Sequence, residues 1–462
     1  MIARTYRDHS CRESRRRAPL TLGKAGLFAA AASLPVGAAV AADLPSRAAA
    51  PTETPLAVCV VDGMAGFVVG SSVCLRIGGY ATAEFSTGNL SKQFGLEFVG
   101  TPGSTPVTNA VLTPVSQRDA IGYDARAQLD FDARQNTPYG PLRSYVEILS
   151  TTGSGFENPG NSTLLNFGFI QFAGLTAGKD GSFFSYLAGG PSWYDFYSPD
   201  RYNGNQPELI AYTLSSGTAS ATLSLEEPIG AEVNGPIDGG FTNAYYGIRF
   251  PDFVGALRIE NGWGSAQVSG VAHNTRVLGV SGDSLDMWGG AALAGVTYNL
   301  PQIAPGDKVA AQVVYSYAAL GYSGISNTAW SPYDQGLNIN GNGTIFQLTD
   351  ALNFDTARWS FPTSWTISGF FEHHLTPQVS VTPQASYAIV DYSGSPAMIS
   401  THAESLMVGG TMHYIPAPHL DFQLGVMFQT TAEATPASYV GPEPFHSHAS
   451  GVATSFQIVR DF

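Results

Sequence analysis

The chain has few charged residues, few cysteines and no long apolar run in its mature part. After residue 42 no apolar run approaches the roughly 20 residues that a membrane-spanning helix needs, which excludes a bundle of such helices. Charged residues make up only 13% of the chain, and apolar stripes with a helical period are scarce. Glycine (52 residues) and tyrosine (21 residues) are abundant instead. This composition is typical of an all-β fold.

The N-terminus has the features of a secretory signal. Residues 1–42 combine a basic start, a small apolar segment over 27–42 and an Ala39-Val40-Ala41 cleavage site. Removal of residues 1–42 also removes Cys11, so that Cys59 and Cys74 remain as a pair in a compartment where disulfides persist. It leaves 15 Lys and Arg against 34 Asp and Glu, a net charge of −19. We expect no nucleic-acid partner for so acidic a chain.

The strongest signal is a strict alternation of apolar and polar residues. Residues 420–428 place Leu, Phe, Leu, Val and Phe at every second position, and residues 121–133 repeat the pattern with Asp, Arg and Gln in between. Period two gives a strand one apolar and one polar face. The segments exceed the usual strand length of about 5–6 residues. They suit a barrel in lipid, whose tilted strands need about 9–11 residues with the apolar side outward.

We count about 16 such segments, an even number, as a closed single-chain bacterial barrel requires. Short connections alternate with long ones, which is typical of turns at one rim and loops at the other. The count includes one strand at 242–250 and one at 254–274. The latter changes phase near Gly262-Trp263-Gly264, which leaves open that it is two strands. The sequence therefore predicts a transmembrane antiparallel β-barrel.

Several stretches of the chain carry a family resemblance. They include CLRIGGY from Cys74, LDFDARQNTPYGPLRSYVE from Leu129 and PDFVGALRIENGWGSAQVSGVAH from Pro251. These stretches resemble the general porins of alphaproteobacteria, of the rhizobial and Brucella type. The resemblance covers nearly all of 43–462 and implies a trimeric, 16-stranded barrel in the bacterial outer membrane. Such a barrel passes small hydrophilic solutes and ions passively and lies among lipid and lipopolysaccharide.

The resemblance also implies how the chain is divided. Residues 1–42 are the signal peptide, 43–73 a periplasmic lead-in with a disulfide loop and 74–462 the barrel. A Cys59–Cys74 bond would fold the lead-in back onto the base of the first strand. Closing a loop of about 15 residues stabilises a fold by roughly 3 kcal/mol in the chain-entropy model. A redox role is the weaker alternative, because it would need a C-x-x-C spacing.

A pore discriminates solutes at its constriction. By resemblance the third extracellular loop, 181–206, folds into the lumen and supplies Asp195 and Asp200. A transverse field between these acids and arginines on the first strands would bias ions. We expect modest cation selectivity, set mainly by the two aspartates. On the first strands, the arginines at positions expected to face the lumen are Arg76, Arg126, Arg134 and Arg143.

Arg134 and Arg143 flank the turn at 136–140, so the alternative is that they lie at the periplasmic rim. A substrate-preferring porin for a sugar or another nutrient is a second hypothesis. A barrel enzyme such as a lipase, or an adhesin, is a third. GDSLD at 282–286 resembles a lipase nucleophile motif but lacks the strand-turn-helix context.

The remaining expectations concern metals, cofactors and assembly. His373 and His374 are adjacent, so on a strand they face opposite ways and cannot share a metal. We expect no metal, no cofactor and no enzymatic activity. The C-terminal Phe462, on an alternating strand, resembles the signal that outer-membrane assembly machinery reads.

Overall fold

The structure is a computed structural model in which one closed sheet dominates. Among the described residues no helix is long and apolar enough to cross a membrane. The described residues are 57–90, 93–98, 110–115, 121–154, 159–187, 206–228, 233–237, 240–243, 247–278, 284–325, 350–355, 358–392, 402–433 and 448–462.

Sixteen strands of the described chain form an antiparallel barrel. Each strand pairs with the next, and the last pairs with the first, which closes the sheet. The prediction of about 16 strands is therefore confirmed. The strands are β1 Val73–Leu90, β2 Ile121–Thr137, β3 Gly140–Ser154, β4 Pro159–Phe172, β5 Leu175–Lys179, β6 Glu208–Ser216, β7 Ala219–Glu226, β8 Asp252–Asn261, β9 Gly264–Leu278, β10 Ser284–Asn299, β11 Lys308–Tyr317, β12 Pro362–Thr376, β13 Val379–Tyr392, β14 His402–Ala417, β15 Leu420–Glu433 and β16 His448–Asp461.

The two faces of each strand differ as the alternation predicts. On β2, Tyr123 and Leu129 are exposed on the outer surface, while Asp124 and Asp130 point inward and are nearly covered. On β15, Val426 is likewise exposed on the outer surface. On these strands apolar side chains thus face outward and polar ones inward, the arrangement of a barrel in lipid.

Two strand predictions are wrong. One merges two barrel strands and the other adds a strand that the barrel lacks, so the predicted number of strands is unchanged. The segment 254–274 is two strands, β8 and β9, joined by a turn at 262–263. Gly264 follows this turn at φ +137, and a Cβ there would lie 2.0 Å from the Thr297 carbonyl oxygen. The described parts of 242–250 are not in a barrel strand: Gly240–Asn243 pairs with Val233–Ile237 in a separate four-stranded sheet, and residues 247–250 are not in a strand.

All the two-residue turns lie at one rim, which also carries the start of β1 and the C-terminus. Two-residue turns at 138–139, 173–174, 217–218, 262–263, 377–378 and 418–419 join neighbouring strands there, together with the longer turn at 300–307. The long connections leave from the opposite rim. In an outer-membrane barrel the short turns face the periplasm, so we call this the periplasmic rim.

Residues before β1 form a small hairpin at this rim. Its strands, Val58–Val61 and Met64–Val69, pair with each other, and the second pairs with the start of β1. A disulfide joins Cys59 in the hairpin to Cys74 in β1, with 5.8 Å between the two Cα atoms. Gly66 permits this close packing, because a Cβ there would lie 2.4 Å from the Leu75 carbonyl oxygen.

Candidate functional site

The lumen is narrowed by the beginning of the third long connection. Residues 182–187 leave the end of β5 and turn inward against the inner wall of β8–β11. Phe184 is fully buried there among Val254, Leu293 and Val314, which point inward from β8, β10 and β11. Residues 182–187, the first part of loop 181–206, therefore lie inside the barrel.

Amide side chains of the wall bind the backbone of this segment. The Nε2 group of Gln267 on β9 lies 3.2, 3.2 and 3.1 Å from the carbonyl oxygens of Phe183, Phe184 and Ser185 and donates to them. The backbone N–H of Leu187 donates to Oε1 of Gln312 on β11 at 3.1 Å. A loop inside a barrel needs such partners, since buried backbone groups are costly when unpaired.

The side chain of Tyr186 also anchors this segment to the wall. Its hydroxyl lies 2.9 Å from the Ser265 carbonyl oxygen and 2.8 Å from the Thr297 hydroxyl, on β9 and β10. The ring lies over Gly295, where a Cβ would come within 2.2 Å of the ring carbon Cδ1. Only glycine at position 295 leaves room for this ring.

A second inward segment covers the upper part of the same wall. Residues 318–325 follow β11, and the Tyr322 ring packs edge-on against Phe184 with 4.9 Å between centroids. The Tyr322 hydroxyl donates to Asp252 Oδ2 at 2.5 Å, and the Leu320 N–H donates to Asp350 Oδ1 at 2.5 Å. The two inward segments thus contact each other and share the wall of β8–β11.

The opposite wall, β1–β3, is charged. Since the barrel has sixteen strands, β2 lies across the lumen from β10. The acidic residues Glu84 and Asp124 are cross-strand neighbours, as are Asp130 and Glu147. Glu147 accepts hydrogen bonds from the Tyr145 hydroxyl and from the amide of Asn166.

Three of the four predicted arginines surround one carboxylate. The NH2 groups of Arg134 and Arg143 lie 2.8 and 3.0 Å from Oδ2 of Asp132, which is fully buried. The Arg76 NH2 group lies 3.9 Å from the same oxygen. Arg134 also donates to the backbone oxygen of Asp62 in the lead-in hairpin, at 3.0 Å. Arg134 and Arg143 are paired in register beside the turn at 138–139, so this group lies towards the periplasmic rim.

Arg126 is separate from the other three. It lies opposite Thr82 on β1, eight residues along β2 from Arg134, which is roughly 26 Å at strand spacing. It hydrogen-bonds Tyr80 and lies near Asp124. The structure therefore does not bring the four arginines into a single ring.

Asp195 and Asp200 lie outside the described residues, so their position in the lumen stays a prediction. Phe462 follows the last strand, and its N–H donates to the Gly79 carbonyl oxygen at 3.0 Å while its side chain is exposed. Ser284 of the GDSLD stretch is the first residue of β10. His373 and His374 are not kept apart as the alternation of a strand suggests, because Nδ1 of both reaches the same Asp307 carboxylate, at 2.6 and 3.3 Å.

Sequence reasoning missed the residues that hold the inward segment, chiefly Gln267, Gln312 and Tyr186. Their only signal is an inward phase on strands with apolar outer faces, and most lumen residues share that phase. Glu226, at the end of β7, is a further residue of this kind. In the structure it accepts from the Ser182 hydroxyl at 2.6 Å and from the Phe183 N–H at 3.1 Å.

Comparison with known proteins decides the family. The Porin_2 family model, described as a porin subfamily, matches residues 48–449. The chain belongs to this porin family. Family and barrel together place the protein in the bacterial outer membrane.

The similar curated proteins are porins of Brucella. Porin Omp2b of Brucella melitensis biotype 1 is 28% identical over 278 residues, which cover 56% of this chain and 66% of that protein. Porin Omp2b of Brucella abortus strain 2308 gives the same identity and coverage. The chain thus spans about two thirds of the length of the curated relatives that it matches.

Among solved structures, the outer membrane channel DcaP of Acinetobacter baumannii is similar in fold. The TM-score is 0.56 at 14% identity, and the match covers 86% of this chain and 99% of that one. At this identity the likeness concerns the barrel alone.

Proposed function

We propose that the protein is a passive, water-filled channel for small hydrophilic solutes and ions, with a modest preference for cations. The observation that carries this proposal is the closed barrel with a polar inner face and an apolar outer face. Such a wall gives water a continuous polar surface and gives lipid an apolar one. Family membership supports the same function, and supports a channel over an enzyme or an adhesin.

The cation preference is supported by the charges of the described inner wall. On β1–β3 the carboxylates Glu84, Asp124, Asp130, Asp132 and Glu147 accompany the arginines. The positive charge of Arg76, Arg134 and Arg143 is partly offset by Asp132. Acidic rings favour cations in a water-filled pore.

We also propose a homotrimer, with lipid and lipopolysaccharide around its outer surface. Both follow from the family resemblance. In the trimer each barrel would keep its own lumen, so Asp195 and Asp200 of loop 181–206 would act within one chain. Their side chains would then provide the main charge at the narrowest point.

A substrate-preferring porin is the second candidate, because the inner wall carries an aromatic group. The rings of Tyr145 and Phe169 stack with 5.3 Å between centroids, and the Arg143 guanidinium lies 5.1 and 5.2 Å from them. Aromatic faces beside hydrogen-bonding groups suit the apolar faces of sugar rings.

Liposome swelling with the purified protein tests both candidates. A passive channel predicts swelling rates that fall smoothly with the size of neutral sugars and do not saturate. A saturable rate for one sugar, lost in Phe169→Ala, would favour the substrate-preferring porin. Failure of every small solute to enter would contradict a channel of either kind.

A further inference from the structure

Four ionisable side chains form a buried group beneath the segment 318–325. His273 on β9 is fully buried, and its Nδ1 lies 2.9 Å from both carboxylate oxygens of Asp252 on β8. Its Nε2 faces Asp350 Oδ2 at 3.8 Å and has no hydrogen-bond partner among the described residues. Tyr322 completes the group through its hydrogen bond to Asp252.

This arrangement fits the protonated form of the imidazole ring. An imidazolium carries an N–H on both nitrogens, and here each nitrogen faces a carboxylate. A neutral ring carries one N–H, so the lone pair of its other nitrogen would point at a carboxylate. It would also leave two buried negative charges without a positive partner, which is costly.

Tyr322 is not the group of this cluster that titrates near neutral pH. Burial, followed by the charge of Asp252, raises the pKa of the Tyr322 hydroxyl well above its usual value, so this hydroxyl stays protonated. Glu226 on β7 is a further carboxyl group close to Asp252 and Tyr322. The charges that act directly on His273 are those of Asp252 and Asp350.

The group joins the barrel wall to the inward segment. Asp252 and His273 belong to the wall strands β8 and β9. Tyr322 lies in the segment 318–325, and so does Leu320, whose N–H donates to Asp350. Protonated His273 lies between these two sets of partners and attracts both carboxylates. Deprotonation of His273 removes its attraction both to Asp252 on the wall and to Asp350, which binds the segment.

We propose that His273 is a proton-controlled latch, which holds the segment 318–325 against the inner wall when protonated and releases it into the lumen when neutral. The latch is present at low pH and is lost as the pH rises and the imidazolium deprotonates. The effect on transport rests on the proposed function, because a released segment alters solute passage only in a conducting lumen.

Amide hydrogen exchange of the full-length barrel in detergent tests the latch, read out on the backbone N–H groups of Tyr322 and Ile325. These donate to the carbonyls of Ala319 and Leu320 within the segment. The series runs from about pH 5 to about pH 10, which brackets the ordinary titration range of histidine. After correction for the intrinsic pH dependence, wild-type exchange should rise up to about tenfold per pH unit beyond the transition, as expected for one proton.

His273→Gln should remove this pH dependence, and Asp350→Asn should move the transition to lower pH by removing one of the two anions. The matched control is His402→Gln, since Nδ1 of His402 also contacts an aspartate, Asp391, at 2.7 Å, but on the outer surface. The control should keep the wild-type profile. Equal pH dependence in wild type and His273→Gln, or none in either, would overturn the latch.

Planar-bilayer recordings over the same pH series give an independent readout. If the protein conducts, wild-type conductance should change with the same midpoint as the exchange, and His273→Gln should not. A protein that fails to conduct while its exchange shows the transition would refute the proposed channel and leave the latch standing. A conducting protein whose exchange profile is the same in wild type and in His273→Gln would refute the latch and leave the proposed channel standing.

Discussion

The two sides of the lumen differ in what their inner walls bind. On β7–β11 the wall residues bind backbone: Gln267, Gln312 and Glu226 each accept from or donate to the segment 182–187. On β1–β3 the wall residues mainly bind one another, as Asp132 does with Arg134 and Arg143. One side therefore holds the inward segment in place, and the other carries a group of paired charges.

This difference implies that shape and charge can be changed separately. Substitutions on β7–β11 should alter conductance through the position of the inward segments. Substitutions on β1–β3 should alter the preference between cations and anions. The predictions below test that separation, in order of their expected effect on conduction.

The largest effect is expected from Gly295→Ala. The added methyl would overlap the Tyr186 ring, whose nearest carbon is 2.2 Å from the position of a Cβ. Overpacking of this kind costs about 1–3 kcal/mol, so the segment 182–187 should leave the wall. We expect a changed single-channel conductance and a lower unfolding temperature, with ion preference little altered.

Gly255→Ala is the control for this substitution. Gly255 lies on β8, and a Cβ there would meet only one atom of Leu223, at 3.7 Å. It should behave like wild type. Wild-type conductance and stability in Gly295→Ala would show that Tyr186 does not position the segment.

A smaller effect, on ion preference, is expected from Asp132→Asn. The substitution leaves Arg76, Arg134 and Arg143 without their shared anion, so anions should pass more easily relative to cations. Losing hydrogen bonds to a charged group should also cost about 2 kcal/mol of stability. Reversal potentials under a salt gradient measure the first effect, and thermal unfolding measures the second.

Asp421→Asn offers a comparison, because Asp421 is an inner-wall carboxylate that pairs with His413 at 2.8 Å rather than with arginines. It should shift selectivity less. A larger shift in Asp421→Asn than in Asp132→Asn would mean that the arginine group does not face the ion path.

The smallest effect on conduction is expected from Cys59→Ser. The disulfide joins the lead-in hairpin to the base of β1, at the periplasmic rim. Its loss should lower the free energy of unfolding by about 3 kcal/mol and leave conductance unchanged. Thermal unfolding and single-channel recordings on the same preparation check both parts. A Cys59→Ser barrel that is folded but does not conduct would refute a purely structural role of the disulfide.

Much of the barrel could be predicted from sequence, because period two directly reports which side of a strand faces lipid. The phase of β2, and with it the inward position of Arg126 and Arg134, followed from that rule. The 262–263 turn was harder, since Gly-Trp-Gly interrupts the alternation only briefly. The opposite error at 242–250 arose because a short strand outside the barrel has the same local pattern.

The anchoring of the inward segment could not be predicted in this way. The hydrogen bonds of Gln267 join residues more than 80 positions apart, and nothing in local periodicity distinguishes it from a water-exposed amide. The gathering of Arg76, Arg134 and Arg143 around Asp132 depends on strand register. Register is set by the whole sheet and not by any one strand.

Reversal potentials in a KCl gradient test the central claim, a water-filled channel that prefers cations, most directly. Wild type should show a modest cation preference that weakens at high salt, because fields are screened over about 8 Å at physiological ionic strength. The double substitution Asp195→Asn/Asp200→Asn should reduce that preference. An anion-selective wild type, or a double variant with unchanged selectivity, would contradict the account.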